Sequence, residues 1–231
     1  MSFLLAQTWR DLLFAHWPVP AAALRPWIPA ALSLDRFDGE CWAAVVPFRM
    51  TGIRLRGTPP LPYLSRTLEL NLRTYVSYRG RPGVFFFSLD AANPVAVRIA
   101  RRFFHLPYFD AKMAYSERGG MLEYRSERKD AAFHARYGPA GPVAPALPGT
   151  LEHFLTERYC FYTANPKGRL FRGDIAHMPW PLQPAEAEFP VNRLTLPWKF
   201  ELPDTKPLLH FAKRLDVRAQ GIVPVDADRR L

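Results

Sequence analysis

A lysine amine kept neutral can condense with a carbonyl, and the resulting iminium can accept the electrons left by a departing carboxylate. An arginine can hold a carboxylate through two parallel hydrogen bonds. A glutamate can orient a substrate or move a proton. Three places in this chain bring such residues into view. Lys112 lies in sequence among Phe103, Phe104, Tyr108, Phe109 and Met113, an apolar setting. Arg10 stands beside Asp11, and Glu69 is followed at alternate positions by Asn71 and Arg73. Each also has a plain structural reading. Lys112 is then an exposed strand lysine and Arg10 the partner of Asp11. Glu69, Asn71 and Arg73 form either a solvated sheet face or the polar lining of a barrel.

Other chemistries find less support. His16, His105, His134, His153, His177 and His210 form no short metal-ligand motif. Cys41 and Cys160 stand too far apart for a metal framework. There is no glycine-rich phosphate loop and no nucleophilic serine elbow. No cofactor is therefore expected. The formal charge of +10 raises nucleic acid or an anionic membrane as partners. The basic residues, however, are spread along the chain, with only short pairs such as Arg101-Arg102, Lys213-Arg214 and Arg229-Arg230. An anionic small molecule accounts for the charge equally well. No apolar run approaches the roughly 20 residues that span a bilayer, and the start lacks a basic region before its apolar residues. The expectation is a cytoplasmic protein with no membrane partner.

Short alternating runs must position these residues. Trp42 to Met50 reads as a buried strand. Leu68, Leu70, Leu72, Thr74 and Val76 alternate with Glu69, Asn71, Arg73, Tyr75 and Ser77, which predicts a strand with one apolar and one polar face. A turn at Arg79–Gly83 leads into Val84–Leu89. Tyr108–Tyr115, Met121–Arg128, Ala131–Tyr137, Tyr159–Thr163, Arg169–His177 and His210–Val217 continue the pattern. Helices are few. Asn93-Pro94 supplies a cap and a first-turn proline for a helix to Phe104, with Val95, Ile99 and Phe103 on one face. Thr150 caps a second helix to Arg158, and Ala21–Trp27 is a third. Glu157 and Arg158 suggest a buried ion pair tying that second helix to the sheet. The proline-rich stretch 138–149 reads as a loop over one domain. The whole predicts an α+β chain: mainly antiparallel β-sheet in a barrel- or cone-like core with a few peripheral helices. It is expected to form a single domain over 1–231, with about 219–231 as a flexible tail.

Several segments resemble the YqjF-like family of the acetoacetate-decarboxylase superfamily: Gln7–Pro20, Val45–Met50, Glu69–Val76, Phe86–Asp90, Leu106–Phe109, His153–Tyr159 and Pro179–Glu186. The resemblance implies an acetoacetate-decarboxylase-like fold. It also assigns roles. Counted back without gaps from Ile28-Pro29, the decarboxylases' early arginine falls on Arg10, as a substrate-binding residue. Their catalytic glutamate falls on Glu69. Their lysine pair falls on the stretch 108–113, where this chain has one lysine. Aligned on the residues that follow, Ala111 takes the place of the Schiff-base lysine and Lys112 that of its neighbour. Counted from the preceding aromatic, Lys112 is the reactive one. A one-residue slip in a strand turns a side chain to the opposite face, so the two alignments differ in chemistry.

The resemblance thus implies an enzyme on a small organic acid in a barrel cavity, a decarboxylase-like lyase or a related acid–base or Schiff-base catalyst. The catalytic candidates are Lys112 and Glu69. The alternatives are a catalytically silent binder of a small acid or other metabolite in the same cavity and, more distantly, a basic nucleic-acid-binding protein. Homo-oligomerisation stays open.

Overall fold

The computed structural model describes residues 3–60, 63 and 65–226. In chain order the strands are β1 (Leu5–Val19), β2 (Ser33–Leu34), β3 (Cys41–Leu55), β4 (Arg66–Tyr78), β5 (Arg81–Ala91), β6 (Tyr108–Asp110) and β7 (Lys112–Arg118). They continue with β8 (Met121–Arg128), β9 (Ala131–Pro139), β10 (Cys160–Ala164), β11 (Leu170–Ala176), β12 (Gln183–Asn192) and β13 (Leu208–Pro224). Three helices accompany them: α1 (Ala21–Leu24), α2 (Pro94–Phe104) and α3 (Leu151–Thr156).

Seven strands close a barrel in the order β1-β3-β4-β5-β10-β11-β13, with β13 pairing back onto β1. Every contact in the ring is antiparallel except β5 to β10, which is parallel and short, Phe161 opposite Val84 and Tyr162 opposite Phe85. Gly83 permits that closure: a Cβ there would stand 2.7 Å from the Cys160 sulfur and 2.9 Å from the Tyr162 ring. The barrel follows from the predicted alternation. Leu12, Phe14, Val46, Phe48 and Met50 point inward and pack together. Leu13, Ala15, Leu70 and Leu72 point outward and are buried too.

What buries them is a second sheet, β12-β9-β8-β7, which continues from β13 through two residue pairs. Tyr124, Phe133 and Tyr137 of this sheet complete the outer core. Two tyrosine hydroxyls join the layers. That of Tyr124 reaches the Phe48 carbonyl at 3.1 Å and the Glu69 carbonyl at 2.7 Å, and that of Tyr137 donates to the Asp11 carbonyl at 2.9 Å. Buried Asp90 forms an ion pair with Arg128 and accepts from the Ser126 hydroxyl across the same seam.

The predicted antiparallel barrel with few helices is therefore the observed architecture, with corrections in detail. Strands β1, β2 and β12 were not anticipated. The expected flexible tail begins as strand: β13 runs to Pro224, with Ala219 opposite Leu5 and Val223 opposite Arg172. The rest of it, 227–231, lies outside the described residues. The run Tyr108–Tyr115 is two strands, since β6 joins β5 of the barrel while β7 joins β8 of the second sheet. Helix α2 starts as predicted, with the Asn93 side chain accepting from the Val95 and Ala96 amides. Its apolar face differs, however. Val97 is buried, whereas Ile99 and Phe103 are 43% and 65% exposed. Helix α3 carries the predicted Thr150 cap but stops at Thr156.

Candidate functional site

The barrel interior encloses a cavity of about 520 Å³. Its wall is largely apolar: Leu12, Val46, Phe48, Val84, Phe86 and Leu89 lie along it. Helix α2 lies against one end through Ala96, Ile99, Ala100 and Phe104, together with Leu55 and Pro59. Toward the other end are Thr156, at the end of α3, and Arg158 just beyond it.

Against this surface stands one polar stripe. Thr67, Glu69, Asn71 and Arg73 occupy alternate positions of β4 and all line the cavity. Strand periodicity puts alternate side chains on one face at about 6.6 Å intervals, so Glu69 and Arg73 are separated by about 13 Å along the strand. The polar face foreseen for this strand is thus the lining of a barrel, not a solvated surface.

Glu69 is buried, and its Oε2 accepts a 2.5 Å hydrogen bond from the Tyr108 hydroxyl. Loss of hydration raises its pKa, while Tyr108 and Asn71 favour the ionised form and partly offset that rise. The balance sets the Glu69 pKa at about 7. A carboxyl group so placed exchanges its proton near neutrality. The Tyr108 hydroxyl is driven in the same direction by burial and by Glu69, well above the usual phenol range, so it acts as a hydrogen-bond donor.

Arg73 is buried with no carboxylate partner among the described residues. One terminal nitrogen reaches the Leu155 carbonyl at 3.4 Å, and the guanidinium stands 5.2 Å from the Phe14 ring centre and 5.7 Å from that of Tyr75. Its Nε has no hydrogen-bond partner. Its charge is felt nearby. His16, which shares a 2.7 Å hydrogen bond with the Tyr75 hydroxyl, is held well below the ordinary histidine range by burial and then by Arg73. The other buried cation on the wall, Arg158, is matched: it donates to Asp35 at 2.6 Å and to the Phe154 carbonyl at 2.7 Å. The ion pair foreseen near Glu157 therefore has Asp35 as its acid. Glu157 instead accepts from the Trp180 amide at 2.9 Å. Trp180 and Trp9 line the cavity, and both indole nitrogens are buried without a partner.

Two predicted residues are not at this site. Arg10 is absent from the cavity wall. Leu5, Gln7, Trp9 and Leu12 face inward, and the bulge at Asp11, whose φ is +51°, sets that phase, so Arg10 points to the other face. There its Nε donates to the Thr51 hydroxyl at 3.3 Å. Nor does it pair with Asp11, whose partners are Arg49 and Lys213. Lys112 is exposed, at the start of β7 opposite Glu127. The chain leaves the barrel at Ala111, which carries Lys112 away from the cavity, and exposed Phe103 gives it no apolar shelter. None of the chain's lysines lines the cavity. Lys112→Ala is accordingly expected to leave melting temperature and ligand affinity unchanged; a tenfold loss of affinity would return Lys112 to the site.

Sequence reasoning thus placed Glu69 on the wall, with Asn71 and Arg73 on its strand face, but it gave Arg73 no role and missed Tyr108 and Trp9. The signal for Arg73 was its shared parity with Glu69.

Residues 6–216 match the model of the DUF2071 family, described as uncharacterized conserved proteins. The chain belongs to the DUF2071 family. It is 47% identical over 218 residues to the uncharacterized protein YqjF of Bacillus subtilis, covering 93% of this chain and 90% of that one. Among solved structures, this DUF2071 chain resembles acetoacetate decarboxylase from Legionella pneumophila, with TM-score 0.67 and 14% identity, over 96% of this chain and 87% of that one. An acetoacetate decarboxylase-like enzyme from Sphingomonas wittichii gives 0.64 and 15%, over 97% and 94%. The enduracididine biosynthesis enzyme MppR, in its complex with pyruvate, gives 0.67 and 10%, over 97% and 91%. These likenesses are of fold. Among the described residues, no helix is long and apolar enough to cross a membrane.

Proposed function

We propose that the barrel cavity takes an organic acid, that Arg73 holds its carboxylate, and that Glu69 moves a proton on it. The observation that carries this reading is the pairing on one inward strand face of a buried cation without an acid and a buried carboxyl group poised near neutral pH. An unmatched buried cation is costly, and an incoming carboxylate compensates it. MppR, similar in fold, is known with pyruvate bound, which supports an acid in a cavity of this architecture. With no lysine on the wall, iminium formation drops out of the reading. What stays is acid–base chemistry: Glu69, as carboxylate, takes a proton from carbon beside a carbonyl and returns it to the same or a neighbouring atom.

The missing lysine also favours a second reading, a protein that binds the acid without turning it over. One experiment separates the two. The protein is incubated in deuterated water with α-keto, β-keto and simple carboxylic acids, and hydrogen exchange next to the carbonyl is followed by NMR. Borohydride is added to a parallel sample. The expected outcome is exchange that falls by about a hundredfold or more in Glu69→Gln, with no reduced adduct on any lysine. Binding without exchange for every acid leaves the binder reading. A lysine adduct overturns the proposed chemistry.

A further inference from the structure

The same cavity speaks to the shape of its ligand. We infer that the natural ligand is an elongated, mostly apolar monocarboxylic acid of medium length, not a three- or four-carbon keto acid. This rests on the reading of Arg73 as the carboxylate clamp and narrows it to a substrate class.

Volume comes first. A compact keto acid has about six or seven non-hydrogen atoms and, at roughly 30 Å³ for each water-sized group, needs on the order of 200 Å³. The cavity offers about 520 Å³, within the range of roughly 300–1,000 Å³ seen for ligands several times larger. A small acid held at Arg73 leaves the greater part of this space unfilled.

The distribution of polarity comes next. Among the described residues of the wall, the buried donors without partners are Arg73 Nε, Trp9 Nε1 and Trp180 Nε1, and Asn71 Oδ1 is a buried acceptor without one. Apart from this group, Glu69 with Tyr108, the Asp35-paired Arg158 and a few polar side chains such as Gln7, Arg54 and Thr67, the wall is aliphatic and aromatic, from Val46, Phe48 and Phe86 to Leu89, Ala91 and Leu106. Along that apolar stretch a second carboxylate or a run of hydroxyls would find few partners, and burying those groups without partners is costly. The stretch suits a hydrocarbon or aryl body, whose burial is favourable in proportion to its area.

Direction is set by the two ends of β4. Arg73 lies beside α3, through the Leu155 carbonyl. Toward the start of β4, Glu69 is opposite Ala91, and Thr67 is opposite Met50. Helix α2 and the end of β3 lie there, through Ile99, Ala100 and Leu55. Of these, Ile99 is 43% and Leu55 51% exposed. An acid bound by its carboxylate at Arg73 therefore runs past Asn71 and Glu69, and its apolar end emerges between α2 and Leu55.

The test is calorimetric titration of the full chain with straight-chain carboxylates from propionate to dodecanoate. It includes the primary amides of the longer members, pyruvate and acetoacetate. Affinity is expected to rise by about fourfold per methylene and to level off once the chain reaches the opening beside α2. Ala100→Trp, which narrows that opening, should bring the plateau to shorter chains while leaving the slope below it intact. Pyruvate or acetoacetate binding as tightly as decanoate would overturn the elongated ligand and leave the acid reading standing. Amides binding as tightly as acids would overturn the acid reading itself and this inference with it. Affinity flat in chain length also overturns it.

Discussion

Arg73→Met is expected to weaken carboxylate binding by about a hundredfold without lowering the melting temperature. The affinity term follows from two charge-assisted hydrogen bonds, each stronger than a neutral one. Stability behaves differently because the guanidinium is buried with no acid to match it among the described residues. Its hydrogen bond to the Leu155 carbonyl is long, at 3.4 Å, and its contacts with Phe14 and Tyr75 contribute on the order of 1 kcal/mol each. Burying an unpaired cation costs several kcal/mol. Methionine fills similar space with no charge to desolvate. Arg73→Lys supplies a second measurement: it keeps the charge but not the planar fork, so its affinity should fall between the other two. Titration calorimetry and thermal melts read both quantities. Arg73→Met with wild-type affinity for every carboxylate removes Arg73 from the site.

Part of this arrangement is legible in the sequence, and the failures have physical causes. Alternation along 68–77 places Glu69, Asn71 and Arg73 on one face whatever the fold. It does not say which face lies inside, because β4 is buried on both sides, by the barrel interior and by the second sheet. Arg10 shows how one bulge defeats a count. Its distance from Ile28-Pro29 was taken without gaps, but the direction of its side chain depends on the strand's phase, which only Trp9, Asp11 and Leu12 in place reveal. At Lys112 the failure is topological. Tyr108–Tyr115 alternates as one strand would, yet Ala111 marks a crossing from barrel to second sheet, dictated by partners far away in sequence. Helix α2 errs in a similar way. Its predicted stripe assumed a helix lying on a flat core, whereas it lies against the end of a cavity, where Ala96 and Ala100 leave room and Ile99 stays half in solvent. Most strands and the antiparallel class rest on local period and were readable, β1, β2 and β12 excepted. The cavity depends on ring closure at the short parallel contact of β5 and β10, which no local pattern announces.

Glu69→Gln should stabilise the protein above neutral pH and do little in acid. The wild-type carboxyl has a pKa of about 7 in the folded chain against an ordinary value of 4.5. A raised folded value means that the native state holds the proton more tightly than the unfolded chain does. The favourable contribution is then complete below about pH 4.5, shrinks as pH rises, and is gone above about 7. The difference corresponds to roughly 3 kcal/mol at 1.36 kcal/mol per unit. Glutamine has the shape of the protonated acid and never ionises, so it retains the native state's advantage at every pH. His16 bends both curves in the same way. Burial holds it neutral, so its contribution is lost as pH falls below the ordinary histidine value, opposing the trend from Glu69. The difference between Glu69→Gln and wild type cancels that term. Denaturant unfolding of both proteins from pH 4 to 8.5 should therefore show curves that coincide near pH 4 and separate by roughly 3 kcal/mol above pH 7. Parallel curves, or a variant less stable at pH 8, would mean that Glu69 ionises as an ordinary carboxylate. Its hydrogen bond from Tyr108 would then outweigh its burial, and it could not serve as a proton carrier at neutral pH.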